Sequence, residues 1–263
     1  MLYINQNNTS IPALGFGTYQ LKGDACVQST ETALRLGYRH LDTAEFYHNE
    51  AEVGKAMRNS GLDRKEIFLT TKVWPTNITK SKFLPAVEES LRQLKLDYVD
   101  LLLIHWPADD ELTNRTAVDI LAECLHKQYA RLIGVSNFSI PQLQQAQSQA
   151  PIVCNQVEYH PYYSQQEMLD YLNSNNMFLT AYSPLGQGNM LDDATLKDVA
   201  AHYGKSVSQV VLRWLLQQPG VSVIPKASSE KHQSENLNIF DFELDAEHME
   251  RISALSQNNK KYC

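Results

Sequence analysis

Short apolar runs alternate with longer segments whose apolar residues recur every three or four positions, nearly from end to end. Eight runs read as strands: LGFGT beginning at Leu14, HLDT (40–43), IFLTTKV (67–73), VDLLLIH (99–105), RLIGVSN (131–137), IVCNQVE (152–158), FLTAYSP (178–184) and SVIPK (222–226). Several are apolar at successive rather than alternate positions, as in a parallel sheet covered by helices on both faces. Helical patterns lie between them. ACVQSTETALRLG and NEAEVGKAMRNSG each end in a glycine suited to a left-handed helix terminus. TKSKFLPAVEESLRQLK opens on a threonine placed to cap a helix. Further on, DATLKDVAAHYG (193–204) precedes SVSQVVLRWLLQQ (206–218), so the last strand–helix unit is longer than a minimal repeat.

Eightfold strand–helix alternation within about 250 residues predicts an α/β chain folded as a (β/α)8 TIM barrel. An open doubly wound sheet is the competing arrangement. It fits less well, because no G-x-G-x-x-G follows the first strand. MLYINQNNTSIP has a turn-rich middle and predicts an N-terminal hairpin across the barrel floor, and two helices are expected beyond the eight of the repeat. No linker or low-complexity tract interrupts the pattern, so residues 1–263 read as a single barrel domain.

Composition narrows the function classes. Hydrophobic residues are 43% and charged residues 20%, as in an ordinary globular protein able to bury a sizeable core. The net charge of -7 argues against a nucleic acid held on a broad basic face, while leaving room for a local cationic pocket. The four cysteines, Cys26, Cys124, Cys154 and Cys263, form no C-x-x-C pair. They are expected to be free thiols in a reducing compartment. The N-terminus lacks the charged start and apolar run of a signal peptide, and runs such as LLLI are far too short to span a bilayer. A cytoplasmic protein without a membrane partner is expected.

A barrel enzyme gathers its chemistry at the C-terminal ends of its strands. There the sequence sets Asp42 with Tyr47 in the following loop, then Lys72, His105, Ser136 and Asn137, Gln156 and Glu158, Tyr182 and Ser183, and Lys226. Singly, each has a bland reading. An aspartate after a strand is most often a turn or cap residue, and a tyrosine there is usually core with a wet hydroxyl. A lysine closing an apolar strand is odder, since lysine is rarely buried unpaired; Asp42 on the neighbouring strand is its obvious partner. Four titratable groups at three successive strand ends make the bland readings hard to sustain together. Jointly they could work on a carbonyl. An ammonium lowers the pKa of a nearby phenol from its ordinary value of about 10. A carboxylate would hold that ammonium, and a neutral histidine could orient a carbonyl oxygen. The result is a general acid aimed at a developing alkoxide. No side chain supplies a hydride; a reduced nicotinamide would.

These residues resemble the aldo-keto reductase family. The likeness spans nearly the whole chain through GYRHLDTAEFY, TTKVW, LLLIHWP, IGVSNF, NQVEYHPY, AYSPLGQG and IPKASSEKHQSEN, in family order. The short loops and tail look similar to those of bacterial 2,5-diketo-D-gluconate reductases, which also reduce methylglyoxal and other small aldehydes. The resemblance implies Tyr47 as proton donor, Lys72 and Asp42 as the pair that tunes it, and His105 as the residue orienting the carbonyl. It implies Ser136, Asn137 and Gln156 at a nicotinamide carboxamide, Tyr182 stacked on the ring, and Ser183 to Gly188, with Leu185, along a pyrophosphate. Lys226, Ser228, His232, Glu235 and Asn236 match the adenosine end, and Tyr19, Trp74 and Trp106 match substrate-pocket positions. The implied partner is a small carbonyl compound, and the implied oligomeric state is a monomer.

Three departures bear on function. Ala227 stands where the family usually has Ser or Thr, and His232 where its NADP-specific members have arginine, whose planar fork suits a 2′-phosphate. NADPH with a weakened grip on that phosphate, and some use of NADH, are expected. After ELDAEHMERISALSQ only NNKKYC remains, so no long C-terminal loop crosses the pocket; an open mouth and small polar substrates are expected. Two rival readings compete. His40 and Asp42 offer metal-ligand types, as in a barrel hydrolase, but no second histidine pair sits at another strand end and Lys72 would repel a cation, so no metal is expected. A noncatalytic NADP-binding regulatory protein on the same scaffold would have no need of Tyr47 and His105 together.

Overall fold

The computed structural model describes residues 1–257 and 259–263. In chain order it contains β1 (Tyr3–Gln6), β2 (Thr9–Pro12), β3 (Phe16–Gly17), α1 (Gly23–Leu36), β4 (His40–Asp42), α2 (Glu50–Asn59), β5 (Phe68–Val73) and α3 (Phe83–Leu94). Then come β6 (Val99–Ile104), α4 (Glu111–His126), β7 (Ala130–Ser136), α5 (Ile140–Gln149), β8 (Ile152–Glu158) and α6 (Gln166–Ser174). The last are β9 (Phe178–Tyr182), α7 (Ala194–Tyr203), α8 (Val207–Leu216), β10 (Val221–Val223), α9 (Glu230–Leu237) and α10 (Ala246–Ser253). Strands β3 to β10 form one sheet in sequence order, each parallel to the next. Its two edges meet. Gly15 N–H donates to Val223 O at 2.8 Å, Val223 N–H to Ala13 O at 2.8 Å, and Gly17 N–H to Pro225 O at 3.1 Å. Gly17 is needed at that seam: a Cβ there would lie 2.6 Å from Ile224 O. Eight parallel strands curled in this way make the (β/α)8 arrangement.

Every residue of β5 and β6 is buried, which is why FLTTKV and VDLLLI lack clean alternation. One face of each strand meets helices and the other meets the barrel interior. The lower interior is apolar and holds Phe68, Leu101, Leu132, Cys154 and Phe178. β1 and β2 pair antiparallel around Asn7 and Asn8, both left-handed, and deliver Ile11 into this cluster with no exposed surface. Ile11→Ala would leave a cavity there, at about 2–5 kcal/mol. Higher up the interior turns polar: Thr180 and Ser222 hydroxyls meet at 2.8 Å, and Asp42, Lys72 and Gln156 are buried as well. A hydrophobic floor under a polar mouth places the chemistry at one end only.

The helices follow their sequence signals closely. Asp193 caps α7 by accepting Leu196 N–H, and Gly204 ends it in the left-handed region. Ser206 starts α8 with a reciprocal Gln209 bond. One start differs. The expected cap at Thr79 lies a turn early, and α3 begins at Phe83. A helix running from Thr79 would need an N–H from Pro85 to Ser81 O, which proline cannot give; at the third position of a helix its missing donor costs nothing. Among the described residues, no helix is long and apolar enough to cross a membrane.

Candidate active site

The register brings the polar residues together. Asp42 pairs with Thr70 on β5, so Lys72, two residues on, points into the same interior one layer higher. Lys72 has no exposed surface. Its Nζ donates to Asp42 Oδ1 at 2.5 Å, to Thr43 O at 3.0 Å and to Tyr47 Oη at 3.3 Å, so all three ammonium protons have acceptors. Gln156 Nε2 donates to Asp42 Oδ2 at 2.9 Å, which fixes the other carboxylate oxygen.

Tyr47 comes from a single 3₁₀ turn, Glu45–Tyr47, ended by His48 at φ 51. Two anchors hold this turn. The Glu45 carboxylate accepts Trp74 N–H at 2.9 Å and the Asn77 side-chain amide. Asn49, wholly buried, accepts from Thr43 Oγ1 at 2.7 Å and donates to Thr18 O and Leu21 O at 2.9 and 3.0 Å. The four residues between Asp42 and Tyr47 thus loop up and back so that the phenol returns to Lys72.

The electrostatics divide the roles. Burial disfavours the Lys72 ammonium, but Asp42 and Tyr47 outweigh it and the pKa is held above its ordinary value. Burial also pushes the Tyr47 phenol up, and Lys72 pulls it back only in part. Lys72 thus lowers the phenol's pKa, as expected, but burial outweighs it: Tyr47 is a protonated phenol with a cation beside it, ready to receive the negative charge left by a departing proton. Burial, then Lys72, drive His105 down to about 2, so its imidazole is neutral. His105 Nδ1 is buried without a hydrogen-bond partner. Its ring meets Trp74 edge-on at 5.0 Å and Tyr47 at 5.8 Å.

Above these groups opens a cavity of about 780 Å³. Tyr19, Trp74 and Trp106 line it, as do Asn137, Gln156, Tyr182, Ser183, Leu185 and Lys226. Tyr182 Oη donates to Asn137 Oδ1 at 2.9 Å, and Asn137 Nδ2 donates to Ser136 Oγ at 3.0 Å, so three of the expected amide-binding and stacking residues form one chain of bonds. Ser136 itself lies beneath the lining, bonded to Gln156 O at 2.8 Å. Ser228, His232, Glu235 and Asn236 sit outside the lining, in the loop and the helix after Lys226. Of these, His232 and Ser228 are exposed and Asn236 is buried. Gln233 ties this loop to α1 by donating to Ala227 O and Ser29 O, both at 3.0 Å.

Among the lining residues that escaped the sequence reading, three bear on the site. Phe46 stacks on Trp74 at 3.9 Å and 15°, and its position beside Tyr47 in AEFYH was the available signal. Tyr262 and Cys263 line the cavity as well. The expected open mouth is therefore corrected: the short tail turns back into the pocket, because Glu158 accepts the N–H groups of Tyr262 and Cys263 at 2.6 and 3.0 Å. Nothing in NNKKYC itself signals this; the acceptor lies over 100 residues away. His40 Nδ1 meets Pro12 O at 3.0 Å, and Asp42 is taken by Lys72 and Gln156. Another group, His202, Asp245 and His248, lies on outer helices, where His248 Nδ1 is shared by Asp245 and Tyr203.

The aldo/keto reductase family model matches residues 13–257. The chain belongs to this family. Among similar proteins, the methylglyoxal reductase DkgB of Escherichia coli O157:H7 is 39% identical over 255 residues, which is 95% of each chain. The glyoxal reductase of Bacillus subtilis strain 168 is 42% identical over 258 residues, 97% of this chain and 92% of that one. A solved structure described as a candidate 2,5-diketo-D-gluconic acid reductase B superposes with a TM-score of 0.94 at 42% identity, covering 97% and 92% of the two chains. This aldo-keto reductase is thus an oxidoreductase with a buried lysine–aspartate pair under its mouth.

The residues suit the nicotinamide dinucleotide that family members generally use. The amides of Asn137 and Gln156 stand beside the Tyr182 ring, and exposed Lys226 lies farther along the same cavity. Between them runs a segment with left-handed residues, Ser183 at φ 47, Gly186 at φ 51, Gln187 at φ 55 and Gly188 at φ 88, and Ser183, Gln187 and Gly188 line the cavity.

Proposed function

We propose that this reductase uses NADPH to reduce small aldehydes and ketones to alcohols, with Tyr47 as the proton donor. Methylglyoxal and related dicarbonyls are the favoured substrates, with keto sugars such as 2,5-diketo-D-gluconate as a second group. The observation that carries the reading is the Lys72 ammonium bonded to both Asp42 and Tyr47 beneath a cavity that also contains neutral His105.

The residue roles follow from that arrangement. Neutral His105 donates one hydrogen bond to the carbonyl oxygen and so fixes its orientation. Tyr47 gives its proton to that oxygen as negative charge develops there. Lys72 stabilises the phenolate that remains, and Asp42 keeps the ammonium in place and charged. A reduced nicotinamide bound here would supply the hydride. Asn137 and Gln156 would hold its carboxamide, and Tyr182 would lie against its ring. Lys226 and the loop from Ser228 to Asn236 would hold the adenosine end, with His232 a weaker partner for the 2′-phosphate than arginine. Tyr19, Phe46, Trp74 and Trp106 pack around the carbonyl carbon and keep water out.

The names of two relatives, methylglyoxal reductase and glyoxal reductase, support small dicarbonyls as substrates. The test is NADPH oxidation, followed by absorbance, against methylglyoxal, glyoxal, 2,5-diketo-D-gluconate and a set of bulky aromatic ketones. Turnover of the small polar carbonyls above the bulky ketones is expected. No NADPH oxidation with any of them would overturn the reading.

A further inference from the structure

Glu158 ends β8 on the same rim as the proposed machinery, paired in register with Tyr182. Its side chain is 1% exposed. A buried carboxylate needs donors, and here they come mainly from the end of the chain. Oε1 accepts Tyr262 N–H at 2.6 Å and His160 Nε2 at 3.0 Å, and Oε2 accepts Cys263 N–H at 3.0 Å. Burial alone would raise this carboxyl; the His160, Tyr262 and Cys263 donors outweigh it and hold it below its ordinary value. The last two residues are therefore seated on a charge-assisted fork, with Lys260 N–H adding a bond to Tyr162 O at 2.9 Å.

From that seat the dipeptide grips the loop after β9. Cys263 Sγ lies 3.1 Å from Ser183 Oγ and accepts from Gln187 Nε2 at 3.2 Å; Gln187 Nε2 also reaches Tyr262 O at 3.4 Å. The Tyr262 ring packs over Gly186 so closely that a Cβ there would meet it at 3.0 Å. Ser183 and Gln187, the two side chains held by the tail, are also the two non-glycine residues of this loop in the left-handed region. Such residues are strained and persist when their surroundings fix them. Here the surroundings are Tyr262 and Cys263.

We propose that Glu158 is a positioning residue that acts through the Tyr262–Cys263 dipeptide, a latch that keeps the 183–188 loop in the conformation that receives the cofactor's phosphates. The cofactor part of this inference rests on the NADPH reading above; the latch itself does not.

The experiment uses the full-length protein, a variant lacking Tyr262 and Cys263, Glu158→Gln, and the two changes combined. Amide hydrogen exchange in residues 183–188 is measured without cofactor, and NADPH dissociation constants are measured by fluorescence. Deleting the dipeptide is expected to speed exchange in the loop and weaken NADPH by about tenfold. Glu158→Gln is expected to move both quantities the same way in the full-length chain and neither in the tail-less one, which a merely structural role for Glu158 would not produce. Unchanged exchange on deletion, tighter NADPH binding on deletion, or an equal Glu158→Gln effect with and without the tail would each overturn the latch. Failure of the full-length protein to bind NADPH, with exchange still accelerated by deletion, overturns the cofactor reading and with it the phosphate-receiving role, while the latch itself stands.

Discussion

Lys72 and Asp42, 30 residues apart in sequence, meet at 2.5 Å on adjacent barrel strands with almost no solvent access to either. Breaking such a pair strands a buried charge, which is far costlier than the pair's own net worth. Lys72→Met should destabilise the protein by about 3–5 kcal/mol in denaturant unfolding, and Asp42→Asn added to it should recover much of that loss. Activity should fall about a hundredfold or more in Lys72→Met and stay low in the double variant, because the phenolate has then lost its cation. Full stability in Lys72→Met would contradict this picture of the pair.

The pH dependence should be plain. His105 is held near 2 and Tyr47 above its ordinary 10.0, so neither changes protonation across neutral pH. The kcat/KM for carbonyl reduction should be level from about pH 5.5 to about pH 9. A limb near the ordinary histidine value of 6.5 that vanishes in His105→Gln would contradict a neutral imidazole.

Glu50 offers a separate test of stability. It is buried, accepts from Thr71 Oγ1 at 2.5 Å, and burial pushes its carboxyl up to about 7 from 4.5. The folded chain therefore holds an extra proton between those values, and this group's contribution to stability falls as pH rises through that window. Glu50→Gln should be near neutral at about pH 4 and stabilising by roughly 2–3 kcal/mol at about pH 8, read from paired denaturation curves. An equal effect at both pH values would contradict it.

Cofactor choice should be permissive. His232 is exposed in α9 and Ala227 is buried against α1. The kcat/KM ratio of NADPH to NADH should stay below about a thousandfold, or ~4 kcal/mol, and His232→Arg should raise it by about tenfold. A ratio already above that bound, unmoved by His232→Arg, would contradict the weakened grip.

The sequence carried the barrel and the strand-end residues because both are local signals. Unbroken apolar runs such as VDLLLI mark covered parallel strands, and the register then puts Asp42, Lys72 and His105 on one rim. The starts of α7 and α8 fall within a residue of the patterns DATLKDVAAHYG and SVSQVVLRWLLQQ. What stayed hidden depends on distant partners. The direction of the Tyr47 shift is a contest between burial and Lys72 that composition cannot weigh. The seat of Tyr262 and Cys263 needs Glu158, and the shared bonds of Asn49 need Thr18, Leu21 and Thr43, none of them adjacent. Glu50, at the start of α2, is a buried acid whose burial no local pattern marks.

The most direct measurement compares the unaltered protein with Tyr47→Phe in NADPH oxidation by methylglyoxal, alongside NADPH binding by fluorescence. The phenylalanine variant should bind NADPH within about threefold of the parent and lose about 10²–10⁴ in kcat, the usual worth of a general acid. A variant that keeps more than about a tenth of the parental kcat would show that the proton comes from elsewhere, and the assignment of Tyr47 would fail.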